Sequence, residues 1–89
     1  MLKPSYTRQF KKDLKEQIKS GKNKEKLKQV IVKLVNQEEL DNKHKAHKLI
    51  GKFKDRRECH IEPDWLLIYK ISVNEITFER TGSHSDLFK

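Results

Sequence analysis

Apolar residues follow a helical period in the first part of the chain and an alternating one in the last. Tyr6, Phe10, Leu14 and Ile18 recur every four residues, a narrow stripe on one side of a helix. Ser5 or Thr7 can cap it, and Ser20-Gly21 ends it. Asn23 can cap a second helix, in which Leu27, Val30, Ile31, Leu34 and Val35 fall on one face. Residues 36–54 show no period and read as a polar, then basic loop, with a short strand near Lys52–Phe53. From Asp55 the period is two: Cys59 and Ile61 share one parity, and Arg56, Glu58 and His60 the other. Glu62-Pro63-Asp64 is turn chemistry. Trp65 to Ile71 is nearly all apolar, as a strand buried on both faces and central in its sheet would be. Ser72-Val73-Asn74 supports a hairpin turn, and Glu75–Arg80 alternates as the next strand until Gly82 breaks it. Ser83–Phe88 is a tail with room for a helical turn.

The expected fold is α+β: an N-terminal αα hairpin packed on one face of a small antiparallel sheet. The sheet is a three-stranded meander, with a fourth edge strand available from residues 1–4, where Pro4 limits pairing. The chain has 89 residues, enough for a single domain spanning 1–89.

Charge sharpens this picture. The net charge is +8, but residues 1–57 hold 18 Lys/Arg against 7 Asp/Glu, a balance of +11. Residues 58–89 hold 3 against 6, a balance of −3. Single lysines on such helices are ordinary solvated residues. The asymmetry as a whole fits a nucleic acid or an acidic protein partner. The basic helices lack the Trp or Phe anchors of a membrane-surface helix. The N-terminus lacks an apolar signal core, and the longest apolar run, Trp65–Tyr69, is too short to span a bilayer. Cys59 is the only cysteine, which fits a reducing compartment. A cytoplasmic protein is expected.

In a meander, the end of the first strand, the start of the second and the end of the third meet at one edge of the sheet. His60, Asp64, Arg80 and His84 should therefore converge. Histidines can carry protons near neutral pH. Cleavage of RNA by its own 2′-hydroxyl needs a base, an acid and a cation on the phosphate. His47, His60, His84 and Asp64 are candidates for the proton roles. Arg80, whose parity matches Ile76 and Phe78, is the candidate phosphate contact. Blander readings stand beside these. His60 is a half-exposed strand residue, His44 a member of a solvated basic loop, Asp64 a turn cap, and Phe88 a satellite packing residue. Trp65 is either core or a stacking platform for a base. A zinc site from His44, His47 and Cys59 matches no structural spacing. The chain also lacks the carboxylate cluster of a Mg²⁺ site, so neither metal nor cofactor is expected.

Arg57-Glu58-Cys59-His60-Ile61-Glu62-Pro63-Asp64-Trp65-Leu66-Leu67-Ile68-Tyr69 and Phe78-Glu79-Arg80-Thr81-Gly82-Ser83-His84-Ser85-Asp86-Leu87-Phe88 resemble the YafQ branch of the RelE/ParE toxin superfamily. The resemblance implies the toxin of a bacterial type II toxin–antitoxin pair. Such a toxin is a metal-independent endoribonuclease that cuts mRNA in the ribosomal A site, and a cognate antitoxin silences it. By position, the resemblance implies acid–base and substrate-orienting roles for His47, His60, Asp64 and His84. It implies a phosphate contact for Arg80 and activity-linked aromatic roles for Trp65 and Phe88. The basic residues Lys48, Lys52, Lys54 and Arg56 are expected to contact substrate. One position departs from the family pattern: Ala46 stands where an acidic residue usually precedes the first histidine. The rival reading is a ParE-like toxin that inhibits a protein target and cleaves nothing. A pure binder has no need of several converging proton carriers.

Overall fold

The computed structural model describes residues 1–44, 47–48 and 56–88. β1 (Lys3–Tyr6) leads into α1 (Arg8–Lys19) and α2 (Lys24–Val35). A single 3-10 turn (Asn42–His44) and β2 (His47–Lys48) precede the meander of β3 (Arg57–Glu62), β4 (Trp65–Ile71) and β5 (Glu75–Gly82), and α3 (His84–Leu87) follows.

Each helix end is built from local hydrogen bonds. Thr7, rather than Ser5, is the first cap: its hydroxyl accepts the Phe10 amide N–H at 3.0 Å and donates to the Glu79 carbonyl at 2.9 Å. The cap thereby ties α1 to β5. Asn23 caps α2 through the Glu25 amide at 2.9 Å. Both helices end in the same motif. After α1, the amides of Gly21 and Lys22 donate to the carbonyls of Ile18 and Gln17, with Gly21 at φ 99°. After α2, those of Gln37 and Glu38 donate to Leu34 and Lys33. There a non-glycine, Gln37, takes the left-handed position at φ 58°.

The sheet has five strands in the order β1-β5-β4-β3-β2. β2 to β5 are antiparallel, as the meander predicts. β1 pairs in parallel with β5, Lys3 opposite Glu75 and Tyr6 opposite Phe78, so the sheet is mixed rather than wholly antiparallel. The reason is connectivity. The helical hairpin crosses the sheet and the meander returns to β1 from the far side, and a parallel pair needs such a crossover. The amides of Lys3 and Thr7 donate to carbonyls of Asn74 and Phe78. Pro4, in the alternate position, faces outward, where its missing N–H leaves no ladder bond unmade.

α1 and α2 cover one face. Phe10, Leu27, Val30 and Leu34 pack with Leu2 on Cys59, Ile61, Trp65, Leu67, Tyr69, Ile76 and Phe78. On the opposite face Leu66 and Ile68 pack under Leu87 of α3. β4 is therefore buried on both faces from Trp65 to Tyr69. The 3-10 turn and β2 lie in the segment read as a loop from sequence, being too short to show a period. The strand expected near Lys52–Phe53 lies outside the described residues. No helix among the described residues is long and apolar enough to cross a membrane.

Candidate active site

Strand register puts the chemistry on the face opposite α1 and α2. Across β3, β4 and β5, His60 lies level with Leu66 and Gly82, and Glu58 with Ile68 and Arg80. The intervening row, Cys59, Leu67 and Thr81, belongs to the helix-covered side. Two bulges adjust this grid. One lies in β3 between His60 and Glu62. The other lies in β5, where Ile68 pairs with Arg80 but Tyr69 with Phe78, leaving Glu79 extra. The second bulge corrects the parity inferred for Arg80. By register Arg80 does not follow Ile76 and Phe78; its Cα joins the row of Glu58 and Ile68, while its side chain reaches Asp13 of α1.

His60 is held from two sides. Its Nδ1 lies 3.1 Å from the Pro63 carbonyl. Its Nε2 lies 3.2 Å from Oε1 of Glu58, whose side chain is 6% exposed. Both partners are acceptors, so the ring serves both only with a proton on each nitrogen. Glu58 was noted in sequence only for sharing the parity of His60. The structure makes it the carboxylate that faces the ring.

His84 opens α3 and is held by Asp64. The His84 amide donates to Asp64 Oδ1 at 3.0 Å, and its Nδ1 lies 3.3 Å from the same oxygen. The amide bond, then the ring contact, holds the Asp64 carboxyl below its ordinary value. Ser83 and Asp86 close a reciprocal cap at the start of α3, and Gln17 of α1 reaches Asp86 at 3.3 Å. The His84 ring is 5.8 Å from that of His60 and 5.9 Å from that of Phe88. Phe88 is 40% exposed. His60, Asp64 and His84 thus come together, with Phe88 beside them; Arg80, expected to converge with them, is instead engaged by Asp13 of α1.

Arg80 is tied to α1. Its Nε donates to Asp13 Oδ2 at 2.7 Å and its Nη2 to Oδ1 at 3.4 Å. Asp13 also accepts from the Thr81 amide at 3.2 Å and from Gln9 at 2.9 Å. This carboxylate is 67 residues from Arg80, and no local pattern announces it. Arg56 pairs with Glu79 at 2.7 Å, across β4 on the open face. His47 pairs through its backbone with Glu58, and Lys48 with Arg57. That pairing puts β2 alongside Glu58. Lys52, Lys54 and Ala46 lie outside the described residues.

Two assignments change. Trp65 is fully buried. Its indole N–H donates to Thr81 Oγ1 at 2.9 Å, and that hydroxyl donates to the Leu66 carbonyl at 2.7 Å. Paired with Glu62 beyond the β3 bulge, Trp65 falls on the helix side. It therefore offers no ring face to a base and acts by bracing the ends of β4 and β5. His44, read as solvated, is 8% exposed, and its Nδ1 lies 2.6 Å from the His60 carbonyl. Cys59 is buried in the core on the helix side.

Residues 2–89 match the family model for the bacterial toxin YafQ of type II toxin–antitoxin systems. The chain is 43% identical over 84 residues to the mRNA interferase toxin YafQ of Escherichia coli K12, covering 93% of this chain and 91% of that protein. It superposes on YafQ in the crystal structure of the E. coli DinJ–YafQ toxin–antitoxin complex with a TM-score of 0.91 and 40% identity, over 99% of this chain and 98% of that one. A metal-bound toxin from Helicobacter pylori gives a TM-score of 0.93 and 42% identity, over 99% and 100% of the two chains. With its fold and nearly its whole length in common with these proteins, the chain belongs to the YafQ family of bacterial type II toxin–antitoxin toxins.

Proposed function

We propose that this toxin is an mRNA interferase that cuts mRNA in the ribosomal A site through attack of a 2′-hydroxyl on its neighbouring phosphate. The observation that carries the mechanism is the pair of imidazole rings 5.8 Å apart, one backed by Glu58 and the other by Asp64. One ring takes the 2′-OH proton as the 2′-oxygen bonds to phosphorus. The other protonates the 5′-oxygen as the P–O5′ bond breaks. The products are a 2′,3′-cyclic phosphate and a free 5′-hydroxyl. Asp64 engages His84 at Nδ1 and leaves Nε2 for the substrate. Arg80 lies in the adjacent row with Nε and Nη2 on Asp13, so Nη1 is the group left to stabilise charge on the phosphorane. Phe88 supplies the exposed ring for a base, and His47 enters from the strand beside Glu58. A cognate antitoxin silences the enzyme by docking on its basic surface.

The test is cleavage of a defined mRNA, with and without ribosomes, mapped by primer extension. His60→Ala, Asp64→Ala and His84→Ala should each lower cleavage by about 10²–10⁴-fold, with His47→Ala weaker and the fold retained. Arg80→Lys keeps the charge but loses the planar fork, so it should stay impaired. Wild-type cleavage by all the histidine and aspartate variants would sink the mechanism. Side chains supply every proton transfer in it, so a chelator should leave the rate unchanged once ribosome integrity is controlled. A requirement for added Zn²⁺ or Mg²⁺ on naked RNA would overturn that part.

A further inference from the structure

We propose that His44 is a positioning residue for His60, holding the bulged end of β3 through the His60 carbonyl; this rests on the reading of His60 as a proton carrier. The backbone explains the need. β2 is only two residues long, and its last partner toward the site is Glu58. Two residues on, the His60 carbonyl is engaged by the ring of His44. The register slips between His60 and Glu62, so the ladder to β4 is locally disrupted there. The His44 ring donates from Nδ1 to that carbonyl at 2.6 Å, a side-chain tie beside the irregular end of the strand. The ring is itself fixed: the 3-10 turn closes with the His44 amide on the Asp41 carbonyl at 2.9 Å, and the residue is 8% exposed.

The consequence for the site is geometric. The His60 ring reaches the Pro63 carbonyl at 3.1 Å and Glu58 at 3.2 Å. Both contacts depend on the direction of its Cα–Cβ bond, which the adjoining carbonyl helps to fix. A bulge free to slip would swing the ring away from both, and a displacement of about 1 Å at a reacting group costs on the order of 10²-fold in rate. An ordinary packing role would need only the shape of the ring. A positioning role needs the donor at Nδ1.

The experiment separates the two. His44→Phe keeps the ring and removes the donor; His44→Asn keeps a donor near the place of Nδ1; His44→Gln carries its amide about one bond too far. Cleavage of the same defined mRNA should show kcat reduced about 10–100-fold in His44→Phe and His44→Gln, with KM within about twofold. His44→Asn should restore most of kcat. Equal losses in His44→Phe and His44→Asn, or no loss in His44→Phe, would overturn the proposal. Should His44→Phe fail to fold, the Gln and Asn variants make the same comparison. In a His60→Ala background the His44 substitutions should cost nothing more. An additive loss there would mean that His44 acts independently of His60. Wild-type cleavage by His60→Ala alone would instead remove the catalytic reading, and the His44 role with it.

Discussion

Burial on the helix side of β3 pushes the Cys59 thiol up to about 12, and the adjacent Glu58 carboxylate adds to the shift. The nucleophile is the thiolate, so the native protein at pH 8 should react with a thiol reagent at least about 100-fold more slowly than the denatured chain. Equal rates would mean that β3 opens readily. Asp64 shows the opposite shift. The His84 amide holds its carboxyl below the ordinary 3.8. A depressed folded-state value means that the Asp64–His84 contact stabilises α3 fully above 3.8 and loses that contribution as pH falls through the lower folded value. The His84 amide resonance should follow this titration with a midpoint below 3.8, and Asp64→Asn should abolish it. A midpoint at or above 3.8 would refute the contact. His60, Asp64 and His84 were legible in the sequence because topology alone brings strand ends together. Glu58, Asp13 and His44 were not, because their partnerships depend on which way a side chain turns at a bulge or a helix edge.

At the scale of elements, the two helices and the meander could be read from periodicity, since each buries one face or two. The bulge at Glu79 could not. One extra residue leaves alternation apparently unbroken on either side, and it moves Arg80 to the other face. The two-residue β2 is likewise below the length at which a period exists. The helix ends supply a test of local backbone physics. Gln37 holds the left-handed position that Gly21 fills after α1. That conformation costs a non-glycine residue roughly 1–2 kcal/mol. Glycine also loosens the unfolded chain, by about 0.4–1 kcal/mol in the opposing direction. Gln37→Gly should therefore stabilise the protein by about 0.5–1 kcal/mol in a urea melt. A loss of stability would show that Gln37 makes contacts stronger than its backbone strain.

For the molecule as a whole, the balance of +11 over residues 1–57 concerns association rather than folding. Rim charges chiefly set the rate of encounter, so antitoxin binding should slow steeply as salt rises. Charge reversal at Lys43, Lys52 and Lys54 should slow it further in stopped-flow measurements. A salt-independent rate, unchanged by the reversals, would assign this surface to something other than the antitoxin. The sequence foretold this asymmetry but not how α3 is attached. β5 is complete at Gly82, and beyond it, among the described residues, only Leu87 joins the buried residues, over Leu66 and Ile68. Yet His84 and Phe88 both lie past that point. On the proposed mechanism, a premature stop codon immediately after Gly82 would delete a proton carrier and the aromatic ring together, forfeiting the burial of Leu87, about 1.5–3 kcal/mol, and uncovering Leu66 and Ile68 beneath it. On that mechanism such truncations abolish cleavage, and survivors of toxin overexpression should be enriched in nonsense and frameshift changes after the codon for Gly82.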